Sequence, residues 1–119
     1  MLKLKNEDFS RDPKAVEALN NDPLTAHEVQ PAITVAALVR ADERLREEFP
    51  RITLPVLIMH GTEDKATICH GSEFFHKTVG SKDKTLKLYE GHYHDLLNDI
   101  GKEGVIGDIT SWIDARLPA

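Results

Sequence analysis

The first part of the chain has the spacing of apolar and polar residues that is typical of helices. Asp12 followed by Pro13 has the pattern of an N-cap with proline at the first helical position, and it predicts a short helix ending near Leu19. After a cluster of turn-forming residues, Pro31 opens a second predicted helix that runs to about Phe49. Its apolar residues recur at helical spacing, at Leu38, Ala41, Leu45 and Phe49.

The pattern changes after Pro50 to one of alternating strands and helices. LPVLIMHG is a short apolar run between a proline and a glycine, and Val56–Met59 within it has no polar alternation. This predicts a strand buried on both faces, as in a parallel sheet. A short crossover helix is then predicted to begin near Gly71 or Ser72 and to stop at Gly80, with the glycine at its C-terminus.

Two further elements complete the pattern. KTLKLYEG alternates and predicts a second strand ending at Gly91, and a last amphipathic helix is predicted from about Lys102 to Leu117. The order of elements predicts an α/β fold in which a right-handed crossover joins two parallel strands. Two strands cannot enclose Val56–Met59 or cover both edges of a sheet. Either another chain completes the sheet, or this chain is the C-terminal part of a larger α/β protein.

Composition narrows the range of partners. The chain has 119 residues and a net charge of −5, without a cluster of lysine or arginine, which argues against nucleic acid or an anionic membrane as a main partner. No apolar run approaches the length of a membrane span, and the N-terminal segment lacks the apolar core of a signal peptide. We therefore expect no transmembrane segment and a cytoplasmic location. The single Cys69 excludes an internal disulfide.

The candidate chemistry lies in the two loops that follow the predicted strands. HGTEDKAT follows the first strand and contains Asp64, and EGHYHD follows the second strand and contains His94. Because the carboxyl ends of parallel strands lie at the same edge of a sheet, these two side chains can meet there. A carboxylate bound to one imidazole nitrogen fixes the tautomer and stabilises the imidazolium. The other nitrogen can then act as a general base for a hydroxyl nucleophile.

The pair His92 and His94 leaves a metal site open as an alternative. The two residues are two positions apart, so in an extended segment they face the same side. Oxygen ligands would come from a set of nearby carboxylates: Asp64, Asp95 and Asp99. No second histidine pair accompanies them, and His60, at the end of the first strand, is expected to be a structural hydrogen-bonding residue near the site.

LPVLIMHGTEDKAT followed by DKTLKLYEGHYHDLLND resembles the C-terminal portion of α/β-hydrolases. Within that superfamily it is most similar to the monoacylglycerol lipase and lysophospholipase group. The resemblance implies that the H-G-x-x-D loop supplies the triad acid at Asp64 and that the Y-E-G-x-x-H loop supplies the triad histidine at His94. Residues 52–117 carry the strong match, and SRDPKAVEALNNDPL more weakly resembles the segment just after the family's cap.

The sequence departs from the family's pattern in two respects: the nucleophile elbow and the upstream strand that carries the oxyanion-hole donor are both absent from it. The resemblance implies a nucleophilic serine on a G-x-S-x-G elbow, and these 119 residues contain no such pentapeptide. The serines are Ser10, Ser72, Ser81 and Ser111. Without the nucleophile and part of the oxyanion hole, we expect no appreciable turnover from this chain alone.

The sequence thus predicts an α/β chain with a partial parallel sheet of the α/β-hydrolase fold and cap-like helices before it. Residues 1–50 are expected to resemble the cap and post-cap region, and residues 51–119 the C-terminal strand–helix–strand–helix part of the core. The expected function is that of the C-terminal part of a serine hydrolase that cleaves carboxylic esters of lipids, either monoacylglycerol or lysophospholipid, without cofactor or metal. The expected partners are the lipid ester and the missing N-terminal half of the fold or a second copy of this chain. The alternative is a non-catalytic half-domain that self-associates or is completed by a partner.

Overall fold

The structure, a computed structural model, describes residues 4–25 and 31–118. Its helices and strands follow one another in the predicted order of two helices and then strand, helix, strand, helix. They are α1 (Pro13–Asn21), α2 (Ala32–Glu48), β1 (Val56–Gly61), α3 (His70–Thr78), β2 (Lys84–Tyr89) and α4 (Lys102–Asp114), with 3₁₀ turns at Asn6–Asp8 and Phe49–Arg51. The predicted fold class is confirmed.

Helix α1 begins as its sequence predicts. The Asp12 carboxylate accepts a hydrogen bond from the Lys14 N–H at 2.9 Å, and Pro13 occupies the first turn. This cap satisfies one of the donors that a helix N-terminus leaves unpaired. The helix continues two residues past Leu19, to Asn21, before the chain turns at Asp22.

The two strands pair in parallel, and α3 is the crossover between them. The register runs from Val56 opposite Lys84 to Gly61 opposite Tyr89. In the described residues β1 is only partly enclosed: Ile58 is 7% exposed, whereas its neighbours along the strand are half-buried. The apolar composition of β1 thus exceeds the cover that one paired strand and one crossover helix provide.

Gly80 plays a different part from the predicted one. Helix α3 ends at Thr78 with Val79 as its C-cap, so it stops just before Gly80 as predicted. Gly80 is not one of the positive-φ glycines of the described residues, which are Gly91 and Gly101, so it does not form the left-handed cap that the prediction implied. Gly80 instead allows a close approach of two backbones. Its N–H donates to the Phe49 carbonyl at 3.1 Å, and a Cβ at this position would collide with the Pro50 carbonyl oxygen.

Helix α4 covers the sheet from one side. Val105 is fully buried, and the Trp112 indole N–H donates to the Thr85 hydroxyl at 3.1 Å on β2. The helix ends at Asp114, three residues before the predicted Leu117. The predicted apolar face is only partly covered in the described residues, since Ile106 is 46% exposed.

Helix α2 is amphipathic, yet none of its residues is buried in the described structure. Ile33 is 74% exposed and Leu38 is 60% exposed. In the described residues the apolar side of this helix is therefore left without cover. Among the described residues, no helix combines the length and the apolar character that spanning a bilayer would require.

Candidate active site

Asp64 lies in the turn that follows β1, and its carboxylate accepts four hydrogen bonds. Oδ1 accepts from the backbone N–H groups of Ala66 (2.7 Å) and Thr67 (2.9 Å). Oδ2 accepts from the Thr67 hydroxyl at 2.8 Å and lies 2.8 Å from His94 Nδ1 and 3.1 Å from His60 Nε2. The side chain is 3% exposed. Hydrogen bonds to both carboxylate oxygens therefore fix the orientation of the Asp64 side chain.

The pKa of the Asp64 carboxyl is lowered from its usual value. Burial acts in the opposite direction and favours the neutral acid. The hydrogen bonds from the Thr67 N–H, His94, the Thr67 hydroxyl and the Ala66 N–H outweigh that effect because each of them favours the carboxylate. Asp64 is thus a carboxylate at neutral pH and accepts a hydrogen bond from His94 Nδ1.

His94 meets Asp64 at the shared edge of the sheet. With Nδ1 donating to the Asp64 carboxylate, Nε2 is left as the basic nitrogen of the neutral ring. The His94 side chain is 39% exposed, and its ring packs edge-to-face against the Phe9 ring at 5.4 Å between centroids. An imidazole with one nitrogen on a buried carboxylate and partial exposure to solvent has the arrangement of a general base.

His60 is a second imidazole on the same carboxylate. Its Nε2 lies 3.1 Å from Asp64 Oδ2 and its Nδ1 lies 2.8 Å from the Ser72 hydroxyl. Nε2 also lies 3.2 Å from the Thr67 carbonyl, to which it donates, so Nε2 carries the proton and Nδ1 accepts from the Ser72 hydroxyl. The sequence predicts a structural hydrogen-bonding role for His60, and the structure gives its partners: the acid loop and the first turn of α3.

The loop after β1, which carries Asp64, is hydrogen-bonded directly to the loop after β2, which carries His94. The Glu63 N–H donates to the His92 carbonyl at 3.0 Å, and the Gly91 N–H donates to the Thr62 hydroxyl at 2.9 Å. Gly61 is in close contact with the second loop, so that a Cβ there would overlap the His92 carbonyl. These contacts fix the distance between the loop that carries Asp64 and the loop that carries His94.

His92 lies apart from the Asp64 carboxylate. Its Nδ1 is 3.2 Å from the Glu90 carbonyl, and its ring packs on Tyr89 at 5.5 Å. Its Nε2 is buried near Gly101 and has no hydrogen-bond partner among the described residues. The structure therefore brings His94, and not His92, to the acid.

Residues 9–12, here called the N-terminal strap, run alongside the histidine loop. The Asp95 N–H donates to the Phe9 carbonyl at 2.8 Å, and the Ser10 hydroxyl donates to the Asn98 carbonyl at 2.8 Å. The same hydroxyl accepts from the Asp12 N–H at 3.0 Å. The start of SRDPKAVEALNNDPL, the segment with the weaker family resemblance, is thereby attached to the loop that carries His94.

Asp99 is the buried centre of that attachment. Oδ1 accepts from the backbone N–H groups of Arg11 (2.7 Å) and Ile100 (2.9 Å), and Oδ2 accepts from the Tyr93 N–H and from Arg11 Nε, both at 2.9 Å. The Asp99 side chain is 0% exposed. Burial raises its pKa, but the hydrogen bonds from Tyr93, Arg11 and Ile100 hold it below the usual value.

The structure does not assemble the alternative metal site from its sequence candidates. The described residues contain no group of three or more histidine, cysteine, aspartate or glutamate side chains placed to hold a metal ion. The Asp99 oxygens are occupied by N–H donors, and Asp95 accepts a hydrogen bond from the Asn98 amide at 2.9 Å.

Comparison with known proteins shows the family to which the chain belongs. The family model described as "Serine aminopeptidase, S33" matches residues 1–101, most of the chain. The chain belongs to this family of α/β-hydrolases. The strand-end loops that carry Asp64 and His94 both lie within the matched region, as does the N-terminal strap.

Relatives within the family include named lipases and an esterase. The chain is 35% identical over 108 residues to a monoacylglycerol lipase of Mycolicibacterium smegmatis. The aligned region covers 91% of this chain and 39% of the relative. It is 33% identical over 111 residues to a caffeoylshikimate esterase of Arabidopsis thaliana, which covers 90% of this chain and 33% of the relative.

Solved structures of lipases have the same backbone arrangement. A monoacylglycerol lipase of Paleococcus ferrophilus superposes with a TM-score of 0.85 at 32% identity, over 92% of this chain and 42% of that one. A soluble variant of a Saccharomyces cerevisiae monoglyceride lipase has a TM-score of 0.87 at 24% identity, over 98% and 41% of the two chains, which supports the fold alone. The chain spans about two fifths of the length of the lipases that it matches.

Proposed function

We propose that this chain is the C-terminal part of a serine hydrolase that cleaves carboxylic esters of lipids, of the monoacylglycerol or lysophospholipid class. Asp64 is the triad acid and His94 is the triad base. The observation that carries the proposal is the 2.8 Å contact between His94 Nδ1 and the buried Asp64 carboxylate at the carboxyl edge of the two strands. This edge is where functional groups gather in open parallel sheets.

The arrangement supports one sequence of proton transfers. His94 Nε2 takes the hydroxyl proton of a serine as the serine oxygen attacks the ester carbonyl, and Asp64 stabilises the imidazolium that forms. His94 then gives that proton to the departing alkoxide, which leaves an acyl-enzyme. In the second half, His94 Nε2 takes a proton from water as the water oxygen attacks the acyl carbonyl. The serine oxygen then leaves and takes that proton from His94, which releases the carboxylic acid and restores the serine hydroxyl.

The serine and part of the oxyanion hole belong, in this proposal, to a segment outside these 119 residues. The chain spans 39% of the length of the M. smegmatis lipase, and no G-x-S-x-G pentapeptide occurs in it. The proposal therefore assigns no appreciable hydrolysis to the chain alone. The ester class comes from the named relatives, which include monoacylglycerol lipases and an esterase.

A second candidate function is that of a non-catalytic half-domain that self-associates. The observation that favours it is the exposed apolar surface of α2, where Ile33 is 74% exposed, together with a sheet of two strands in the described part of the chain. Pairing of two copies would bury such surfaces. In this case the chain would be a stable dimer or higher oligomer without turnover.

A chimaera tests the first candidate. Residues 1–119 would replace the matching C-terminal region of the M. smegmatis lipase, and hydrolysis of a monoacylglycerol and of a short p-nitrophenyl ester would be measured. We expect activity in the chimaera, a loss of roughly 10⁴-fold or more in kcat for His94→Ala, and at most a few-fold change for His92→Ala.

His92→Ala is the matched control because it removes an imidazole from the same loop, away from Asp64. Full activity in the His94→Ala chimaera would disprove the assignment of the base. Light scattering of the 119-residue chain separates the second candidate, since a stable inactive dimer would favour it and a monomer would argue against it.

A further inference from the structure

We propose that Asp99 and Arg11 are positioning residues that hold the His94 imidazole on the Asp64 carboxylate. We call Asp99, Arg11 and the Tyr93 N–H that Asp99 binds the Asp99 clasp. The inference builds on the proposed role of His94 as the base, and its test is chosen so that it does not need that role to be correct.

The argument begins with the peptide groups on either side of His94. The Tyr93 N–H, immediately before it, donates to Asp99 Oδ2 at 2.9 Å, and the Asp95 N–H, immediately after it, donates to the Phe9 carbonyl at 2.8 Å. The backbone of His94 is therefore fixed at two points. One point is a buried carboxylate and the other is the N-terminal strap.

The strap is itself bound to the same carboxylate. The Arg11 N–H and Nε donate to separate oxygens of Asp99 at 2.7 and 2.9 Å, and Arg11 Nη2 donates to the Ile100 carbonyl at 2.8 Å. Phe9, two residues before Arg11, packs edge-to-face on the His94 ring. Asp99 thus holds the loop backbone directly through the Tyr93 N–H, and through Arg11 it positions the aromatic ring against which the imidazole lies.

The chemistry of the clasp favours an ionised carboxylate over any neutral substitute. All four groups that reach Asp99 are N–H donors, and one of them carries a full positive charge. An amide in place of the carboxylate would direct its own N–H₂ at one pair of these donors. Such a replacement breaks one side of the clasp while it keeps the shape of the side chain.

This placement explains a contact that Asp64 alone does not secure. Asp64 is held by its own loop through Ala66 and Thr67, but His94 is 39% exposed and reaches Asp64 through a single hydrogen bond. A displacement of about 1 Å in a catalytic group can lower a rate by roughly a hundredfold. The clasp supplies the restraint on the His94 side of the pair.

The test uses ¹⁵N-histidine NMR of the 119-residue chain, which reports the tautomer of His94 and the low-field proton on its Nδ1. In the unmodified chain we expect the Nδ1–H tautomer and a low-field resonance. Asp99→Asn should remove the resonance and mix the tautomers, while Arg11→Lys, which retains the charge and the backbone N–H, should weaken the resonance. In the lipase chimaera, each should lower kcat by roughly tenfold to a hundredfold, with KM changed less than about twofold.

The matched controls are Asp83→Asn and Arg116→Lys, which alter a bidentate aspartate–arginine pair at the other end of β2. These should leave the His94 resonance and kcat unchanged. A folded Asp99→Asn chain that keeps the His94 resonance and tautomer would overturn the proposal. If Asp99→Asn does not fold, Arg11→Lys decides in the same way. An inactive chimaera in which the NMR changes still occur would count against the proposed hydrolase function and not against the clasp.

Discussion

The two ends of the parallel strand pair are held by different forces. At the carboxyl end, two buried carboxylates, Asp64 and Asp99, gather hydrogen bonds from both loops and from the N-terminal strap. At the amino end, the Phe49 and Phe75 rings pack at 4.5 Å, Gly80 lies against the backbone of the preceding turn, and the Asp83–Arg116 pair is partly exposed.

The difference follows from what each end must achieve. Apolar packing stabilises in proportion to the area buried and is non-directional, so it brings elements together without fixing the angle of a single side chain. Hydrogen bonds weaken steeply with misalignment, so a carboxylate with four donors fixes geometry as well as position. The end that carries the candidate chemistry is the one that relies on direction.

The most disruptive change expected at the carboxyl end is Gly61→Ala. Its Cβ would overlap the carbonyl groups of His92 and Tyr93, which are backbone atoms and cannot rotate away. We expect the free energy of unfolding to fall by about 3 kcal/mol or more, measured by urea denaturation.

Gly71→Ala is the control for that change. A Cβ at Gly71, on α3, meets no atom within 4 Å, and alanine is the better helix former. This variant should be neutral or gain up to about 0.5 kcal/mol. Equal stability of the two variants would contradict the idea that close approach of the loops holds this end together.

At the amino end, Phe49→Ala should cost stability without disturbing the site. The ring is half-buried against Phe75 and Phe74, so its removal should lower the free energy of unfolding by about 2 kcal/mol, below the range for fully buried rings. The low-field His94 resonance should remain. Disappearance of this resonance in a folded Phe49→Ala chain would show that the two ends are coupled. Phe49→Leu should keep most of the stability that Phe49→Ala loses.

The smallest expected effect is a difference in how the two ends respond to acid. The pKa of Asp99 is lowered from its ordinary value of 3.8, so the unfolded chain binds the proton first as the pH falls. The stabilisation is therefore complete above about pH 5 and is lost as the pH falls through 3.8 and below. Asp99→Asn should flatten this decline in the urea midpoint.

Salt separates the two carboxylates in the same measurement. The pKa of Asp83 is lowered by its hydrogen bond from Arg116, but this pair is exposed and is screened at about 1 M salt. The part of the decline that Asp83→Asn removes should therefore fade in high salt, while the part that Asp99→Asn removes should persist. An equal salt response would place both carboxylates in comparable environments, contrary to the structure.

The sequence predicts the meeting of Asp64 and His94 because both residues follow strands whose carboxyl ends share an edge, a relation that depends only on element order. It does not predict the Asp99 clasp, because Arg11 and Asp99 are 88 positions apart and neither has a local signal. The weak resemblance of SRDPKAVEALNNDPL to a family segment is the one signal in the sequence that includes Arg11. Nor does the sequence predict the close approach of Gly80 to the Pro50 backbone, which also joins parts of the chain that are distant in sequence.

The clasp also bears on how the chain can be divided. On secondary structure alone, a natural cut lies near Pro50, between the helices and the strand pair. The strap contributes from one side of that cut and Asp99 from the other, over a separation of 88 positions. A piece that begins at residue 51 would contain both Asp64 and His94 and the whole of β1, α3 and β2, yet it would lack Arg11 and Phe9. The minimal unit that preserves the histidine geometry is therefore discontinuous in sequence, and dissection at the secondary-structure boundary would separate the residues of the site from the residues that orient them.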